Sequence, residues 1–540
     1  MTAFRTRLAV GAIVAAAVLL VVVAHSRFLF SWDSANFAFA VDRIDIAQHR
    51  PHPPGYLGYV FAGRTLRPWF ADVNAALIAV NVVALAAAAF ALARMAATGD
   101  EGRGLFVVAT LVFSPLVLFY ASVAEIYVSE LACVTLVAAA VHEMLRGSRR
   151  AAYWTALAVA VTLGFKVSAA VLIFPAVAYG FARAPIDRAS KYRALAALAG
   201  GCALVALLFV AVEPRIVSIV WEQFETATQQ SRVIAGSSQL GFGRLLNRNL
   251  RDTFTACLAG LGANAVGLLI CAFVRHRDFA LPLRTSHFRV PRQTSHFELR
   301  TFFLLLWGVA WGGELVFVHI GKPGYVLPIL PILALIVAKA YSSLGIRTGG
   351  ALAFTAAIAN VIWFVTLSPP AQADSRPYRD KPLLDRLASD LAPLTFSTLA
   401  TIRESDRAIS ALLQVGQECR DGNWVIVGGS SNVDWRRAMF FLPLATALDV
   451  DENARRFQFI GRNGDIRSLP PELELASACG LLWLPALSPA VTTTTPPSRV
   501  PLLGWRLPAG SGFVTMDGIR WSGINAPRSS AADAPGAAPQ

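Results

Sequence analysis

Charge is what this sequence has least of: only 15% of its 540 residues are Asp, Glu, Lys or Arg, where a soluble protein carries about 25%. That shortage excludes an ordinary soluble enzyme. Cysteine is also scarce, at six residues. Cys133, Cys202, Cys257 and Cys271 lie in apolar runs, where a small hydrophobe is explanation enough. Cys419 and Cys479 alone remain for the polar part, as one disulfide or as two free buried thiols. Negative charge is the scarcer sign, leaving a net charge of +14. The excess does not point to nucleic acid, because the basic residues stand at the ends of apolar segments, where they act as topology signals.

Apolar residues fill the gap, at 55% of the chain with a mean hydropathy of +0.53. They fall in long Ala/Val/Leu runs up to about Leu367, after which charge and proline rise. A hydrocarbon core of about 30 Å asks for about 20 such residues per helix. The runs place spans near Leu8–Ala24, Val73–Leu92, Leu105–Tyr120, Val123–His142, Tyr153–Leu163, Val167–Phe181, Ala194–Val212, Thr253–Val274, Phe302–Ile320, Val326–Tyr341 and Ala351–Leu367. The expected fold class is therefore an α-helical polytopic membrane protein of about 11 spans. Tyr153–Leu163 is short, and Gly164-Phe165-Lys166 after it reads as a turn or a kink. The first span follows Arg5 and Arg7 and is longer than the usual apolar core of a signal peptide. It is read as a retained anchor, with a cleaved signal as the alternative.

With the amino terminus inside, the inner segments hold 19 Lys and Arg residues, and the much longer outer loops hold 12. An odd span count then puts everything after Leu367 outside. The expected division is a membrane domain over 1–367, an extracytoplasmic soluble domain over 368–525 and a disordered tail over 526–540, rich in Pro, Ala and Ser. In the soluble domain, helical patterns at Lys381–Leu394 and Ile402–Val415 precede strand candidates Trp424–Val427, Phe457–Ile460 and Leu481–Leu484. Together these suggest a small α/β module. Ala490–Ser498 reads as a linker or long loop. The inner loop Arg275–Arg300 repeats Thr-Ser-His-Phe at Thr285 and Thr294, too briefly to mark a repeat architecture.

The first outer loop is the stretch richest in chemistry. It runs through Trp32-Asp33-Ser34-Ala35-Asn36-Phe37, Asp42, Asp45, His49, Arg50 and His52-Pro53-Pro54-Gly55-Tyr56 to Arg64. Asp33 lies a few residues beyond an apolar run, at headgroup depth. A carboxylate there is either a general base for an acceptor hydroxyl or a helix cap or solvated acid. Glu125 lies between two apolar segments, where an acid at membrane depth is a functional candidate by default. Arg64, Lys166 and Lys322 are the outer cations, either phosphate ligands or snorkelling side chains. Lys322 stands out because Gly324 beside it lets backbone approach a ligand. Asp449-Val450-Asp451 and the Gly428-Gly429 turn are set aside as a metal-binding motif and an anion site, because no supporting motif accompanies either.

The Trp32–Phe37 stretch, with Asp45, His49 and His52-Pro53-Pro54-Gly55-Tyr56, resembles the first loop of bacterial GT-C-type membrane glycosyltransferases, relatives of protein O-mannosyltransferases and lipid A aminoarabinose transferases. Ala124-Glu125-Ile126-Tyr127 and Lys322-Pro323-Gly324-Tyr325 also fit that pattern. The resemblance covers roughly Arg7–Leu367 in organisation. It departs from the family where the usual acidic pair appears as a lone Asp33 followed by Ser34, so a two-acid mechanism does not carry over from the resemblance.

The resemblance implies a cell-envelope enzyme of a bacterial inner membrane. Such an enzyme takes a sugar from a polyprenyl-phosphate donor and passes it with inversion to a lipid, glycan or protein acceptor on the extracytoplasmic face. Asp33 would be catalytic, and His49, His52, Tyr56, Arg64, Glu125, Tyr127, Lys166, Lys322 and Tyr325 would bind substrate. No cofactor is implied. A divalent metal on His49 and His52 with Asp45 or Glu125 is the alternative, and His-x-x-His spacing alone is weak support for it. The other function class is a flippase of a lipid-linked precursor, which should carry polar residues along several spans; here they gather at one face.

The alternating basic loops generate a direct expectation. A reporter active only after export should be active when fused after Leu367, and a cytoplasm-dependent reporter should be active within Arg275–Arg300. The same phenotype at both fusion points contradicts the topology.

Overall fold

Backbone amides cannot go unpaired in hydrocarbon, so apolar runs of this length have to be helices. The computed structural model of the chain makes each run helical over most of its length. It describes residues 2–53, 55–96, 101–222, 242–279, 294–318, 322–368 and 394–418. In the carboxy-terminal part it describes 423–427, 433–451, 456–461, 466–467, 472–474, 478–483, 492–493, 498–500, 504–507, 513–516 and 519–522. The helical pattern at Lys381–Leu394 lies almost wholly outside the described residues, and Cys419 and the tail 526–540 lie outside them.

Among the described residues, six helices are long and apolar enough to cross a membrane, or up to eight if each of two bent pairs is one span. The bends have identifiable causes. The run Leu105–Tyr120 is two helices, Gly102–Val112 and Pro115–Ala121, meeting at 60°. Pro115 lacks the N–H that would continue the first helix, and Ser114 caps the second. The run Thr253–Val274, expected as one span, turns by 89° between Leu246–Leu261 and Ala263–Val274. Gly262 makes that corner at φ +55°, where Asn360 also stands too close for any Cβ. The Asn360 carboxamide satisfies the freed backbone, its Oδ1 accepting from the Ala263 N–H at 2.6 Å. At Gly164-Phe165-Lys166 the chain ends the helix Arg149–Phe165, passes through an extended Lys166 and starts Val167–Arg183.

The chain divides into two compact units, and not by a single cut near residue 367. One unit joins Met1–His25, Pro53–Gln372 and Pro377–Thr401; the other joins Ser26–His52, Ala373–Arg376 and Ile402–Gln540. In the membrane unit the helix Tyr127–Leu145 is central, its best apolar window 83% buried, and it packs against Val73–Ala96, Arg149–Phe165 and Val167–Arg183. Arg188–Val212 is peripheral, its window only 11% buried. Leu204, Leu207 and Leu208 are exposed on it, a surface suited to lipid and costly in water.

The second unit is built on strands. A seven-stranded sheet runs β4-β3-β2-β1-β6-β9-β8, with β1 (Asn423–Val427), β2 (Thr446–Asp451), β3 (Arg456–Ile460), β4 (Ile466–Arg467), β6 (Ala478–Trp483), β8 (Ser498–Val500) and β9 (Gly504–Leu507). β1 pairs in parallel with β2 and with β6, and the outer pairings are antiparallel. Four further strands, β5 (Glu472–Glu474), β7 (Thr492–Thr493), β10 (Phe513–Met516) and β11 (Ile519–Ser522), form a second sheet. The stretch expected to be a linker thus contributes Thr492–Thr493 to a sheet. Asp449 and Asp451 sit in β2 register opposite Gln458 and Arg456. Ile409 and Leu412 of the helix Leu399–Gln417 pack with Trp424, Ile426, Trp435, Met439 and Leu482 in one core. Phe28 and Trp32 of the first loop pack against that same core. Cys479 is disulfide-bonded, and the four cysteines of the apolar runs are free.

Candidate active site

The first-loop residues up to His52 belong to the second unit. The helix Trp32–Asp42 begins with a capping box, in which Ser31 and Ser34 each accept from the other's backbone N–H. This places Asp33 in the first turn, where the helix dipole favours a negative charge. His52 comes back toward it, its Nδ1 3.6 Å from Asp33 Oδ1 with both side chains about one-quarter exposed. The His52 ring also faces Phe37 at 5.8 Å between centroids. Between the two, Asp45 caps the short turn Ile46–Gln48, and its backbone pairs with that of Arg50.

His49 ends that turn in the left-handed region, at φ 58°. Burial, Arg436 and His52 together push its imidazole down to about 4 from an ordinary 6.5. His49 is therefore neutral at pH 7. Its folded value lies below its unfolded one, so the unfolded chain takes the proton first as pH falls. This group's contribution to stability is present above about pH 6.5 and is lost as pH falls towards about 4.

The remaining candidates belong to the membrane unit and, with one exception, meet. Asn81, an amide inside an apolar helix, donates to the Tyr120, Val123 and Glu125 carbonyls at 3.4, 2.9 and 2.8 Å. It accepts from Ser129 Oγ at 3.0 Å, so one side chain shapes the turn before Tyr127–Leu145. Glu125 on that turn is almost fully buried, and Lys322 Nζ reaches its Oε1 at 3.3 Å while the Lys322 side chain stays 36% exposed. Lys166 is buried and donates to Glu130 Oε2 at 2.7 Å. Its ammonium lies over the rings of Tyr127 at 5.8 Å and Tyr325 at 5.0 Å. Tyr127 and Tyr325 stand 5.5 Å apart, and Tyr56 is within electrostatic range of Lys166.

Glycines allow this packing. A Cβ on Gly324 would stand 2.7 Å from the Tyr127 ring and 2.8 Å from that of Tyr120, and the Gly324 N–H donates to Tyr120 Oη at 3.0 Å. The sequence assigned Gly324's bareness to ligand approach; in the structure two tyrosine rings occupy the space. Gly58, just beyond Tyr56, is likewise pressed against Phe165. Among the described residues, the non-glycine positions with positive φ are His49 and Tyr56, at 58° and 40°. Both are candidate site residues, and backbone of this kind concentrates at functional sites.

Arg64 is the exception. It ends the helix Leu57–Leu66 exposed to solvent, its guanidinium 5.9 Å from the Phe61 ring. Sequence reasoning missed Asn81, Glu130 and Glu314. All three are polar residues inside apolar runs, and that is the signal by which they were visible. Glu314 lies in a π-helical turn within electrostatic range of Lys166 and Glu130. Among the described residues, no three or more His, Cys, Asp or Glu side chains are grouped so as to hold a metal ion.

The fold that carries these residues is that of GT-C-type membrane glycosyltransferases. Among solved structures the chain is similar to ArnT from Cupriavidus metallidurans bound to undecaprenyl phosphate, with a TM-score of 0.50 at 13% identity, covering 82% of this chain and 93% of that one. It also matches the archaeal oligosaccharyltransferase AglB from Archaeoglobus fulgidus in complex with an inhibitory peptide and a dolichol-phosphate (TM-score 0.42, 11% identity, 81% of this chain and 64% of that one). A third match is the arabinofuranosyltransferase AftD from Mycobacteria (TM-score 0.39, 14% identity, 96% and 40%). No family model and no curated protein sequence matches the chain.

Breaking a buried ion pair by removing one partner costs about 3–5 kcal/mol, because the other charge stays behind unpaired. Glu130→Gln and Lys166→Met should each lower the thermal midpoint of the purified protein sharply, and the double variant should recover much of the loss. Additive losses in that double-mutant cycle contradict the pairing.

Proposed function

We propose that the chain is a membrane glycosyltransferase that moves a sugar from a polyprenyl-phosphate donor to an acceptor on the extracytoplasmic face of a bacterial inner membrane. In this reading about eleven spans carry an extracytoplasmic α/β domain. The observation that carries it is Asp33 in the first turn of a capped helix with His52 beside it. The support from outside the chain is its similarity over 82% of its length to a structure bound to undecaprenyl phosphate.

The reaction balances with few groups. Asp33 takes the proton of the acceptor hydroxyl as that oxygen bonds to the anomeric carbon. The bond from that carbon to the phosphate oxygen breaks on the opposite face, which inverts the centre. The leaving lipid phosphate gains a negative charge and needs a cation rather than an acid. Lys322 is assigned that role because its side chain keeps solvent exposure, whereas Lys166 already serves the buried Glu130. His52 beside Asp33 can receive the proton after transfer. Tyr56 and Tyr325, both partly exposed, are the aromatic residues assigned to the sugar ring, and Glu125 holds the Lys322 ammonium in place.

General-base contributions are typically about 10²–10⁴-fold. Asp33→Asn should therefore abolish most transfer while keeping membrane insertion and binding of undecaprenyl phosphate, since losing a negative charge does not weaken attraction for a phosphate. Both are measured on the same purified variant. Normal transfer defeats the assignment, and loss of expression together with binding makes Asp33 a structural residue.

A further inference from the structure

The first loop is fastened by residues from late in the chain. At its start, Asp406 Oδ1 accepts from the Arg27 and Phe28 N–H groups at 2.9 and 3.2 Å. The Phe30 carbonyl receives Arg437 Nη1 at 2.7 Å and Ser405 Oγ at 3.3 Å. Rings continue the contact, with Phe28 on Phe441 at 5.5 Å, Trp32 on Trp435 at 4.6 Å and Phe39 on Phe440 at 5.2 Å.

Arg436 joins the two ends of the loop. Its side chain is 0% exposed, and its guanidinium lies 4.6 Å from the Trp435 ring, 5.3 Å from Trp32 and 5.9 Å from Phe39. From that stack Nη2 donates to the Gln48 carbonyl at 3.0 Å. Trp32 immediately precedes Asp33, and Gln48 immediately precedes His49, four residues short of His52. One planar cation therefore touches the beginning of the helix that carries Asp33 and the turn that returns His52 to it.

Burying a guanidinium costs solvation that a methionine or leucine would not. What arginine adds is a rigid plane that stacks on rings and a fork that donates in a fixed direction. In the loop, that plane lies against Trp32 and Phe39, and that fork donates to the Gln48 carbonyl. Its loss is thus expected to relax the loop before the domain.

We propose that Arg436 is a positioning residue for Asp33, holding the Trp32 helix start and the Gln48 turn at the spacing that keeps Asp33 beside His52. The proposal rests on the reading of Asp33 as general base. It gives the carboxy-terminal domain a part in catalysis: the domain is the mould in which the catalytic loop is set.

The test uses the full-length protein in lipid nanodiscs as Arg436→Met, Arg436→Lys and Asp33→Asn, with two readouts. Backbone hydrogen exchange of residues 31–50 reports the loop without reference to activity. Transfer from a radiolabelled polyprenyl-phosphate sugar reports kcat and donor KM. Arg436→Met should speed exchange across 31–50 while exchange in Leu399–Gln417 and β1 stays at wild-type values. Its kcat should fall about 10–100-fold, as misplacement of a catalytic group does, with donor KM within about twofold. Arg436→Lys, which keeps the charge and loses the fork, should show both effects in smaller degree, and it decides the matter by the same criteria if Arg436→Met does not fold. Wild-type exchange and kcat in the Arg436 variants, beside an inactive Asp33→Asn, overturn the proposal, as does a loss confined to donor KM. Wild-type transfer by Asp33→Asn overturns instead the reading on which it rests, so the two failures are told apart.

Discussion

Lys166 and Glu130 meet at 2.7 Å among apolar helices, and an ion pair there is tolerated only because each charge answers the other. Glu130 stands in the first turn of Tyr127–Leu145, the most buried of the helices able to cross the membrane, and Lys166 at the junction of the two helices that pack beside it. The pair therefore ties that junction to the centre of the membrane unit. Glu125, on the turn before the same helix, ties down Lys322 and the segment Pro323–Ile329 in the same manner. Asn81 fixes the turn itself. The tyrosines that wall the lysines depend on these pairings for their positions.

A second constraint acts on the loop that carries Asp33. In the proposed mechanism the Asp33 carboxylate needs a fixed direction, and an eleven-residue helix such as Trp32–Asp42 is marginal by itself in water. The chain meets that need by folding the loop into the core of the carboxy-terminal unit, through Phe28, Trp32 and the arginines of the helix Trp435–Phe441. The carboxy-terminal unit thereby includes the loop that carries Asp33.

The membrane architecture was legible because hydropathy and length are read one run at a time. The helices at Val73–Ala96 and Arg188–Val212 fall where the apolar runs put them. The density of acids, histidines and aromatics marked the Asp33 loop as a candidate, and the structure brings Asp33 and His52 together there. Interactions between positions far apart were not legible. Nothing local in Thr253–Val274 signals that Asn360 will receive a right-angled corner at Gly262. Lys166 looks like a free interfacial cation until Glu130 is brought to it across 36 positions. Gly324 looks like room for a ligand until two tyrosines fill the space. The joining of Ser26–His52 to the carboxy-terminal unit was hidden for the same reason, because the segment is far in sequence from the core it joins.

The central claim is that a sugar leaves a lipid phosphate and becomes glycosidically bonded to an acceptor. The most direct measurement incubates the purified full-length chain, in bilayers, with radiolabelled polyprenyl-phosphate sugars and envelope fractions. Label should leave the lipid-phosphate pool and appear in acceptor material, in proportion to active protein. Label that stays on its lipid phosphate, or merely crosses the bilayer still attached to it, contradicts the account and makes the chain a carrier of its donor.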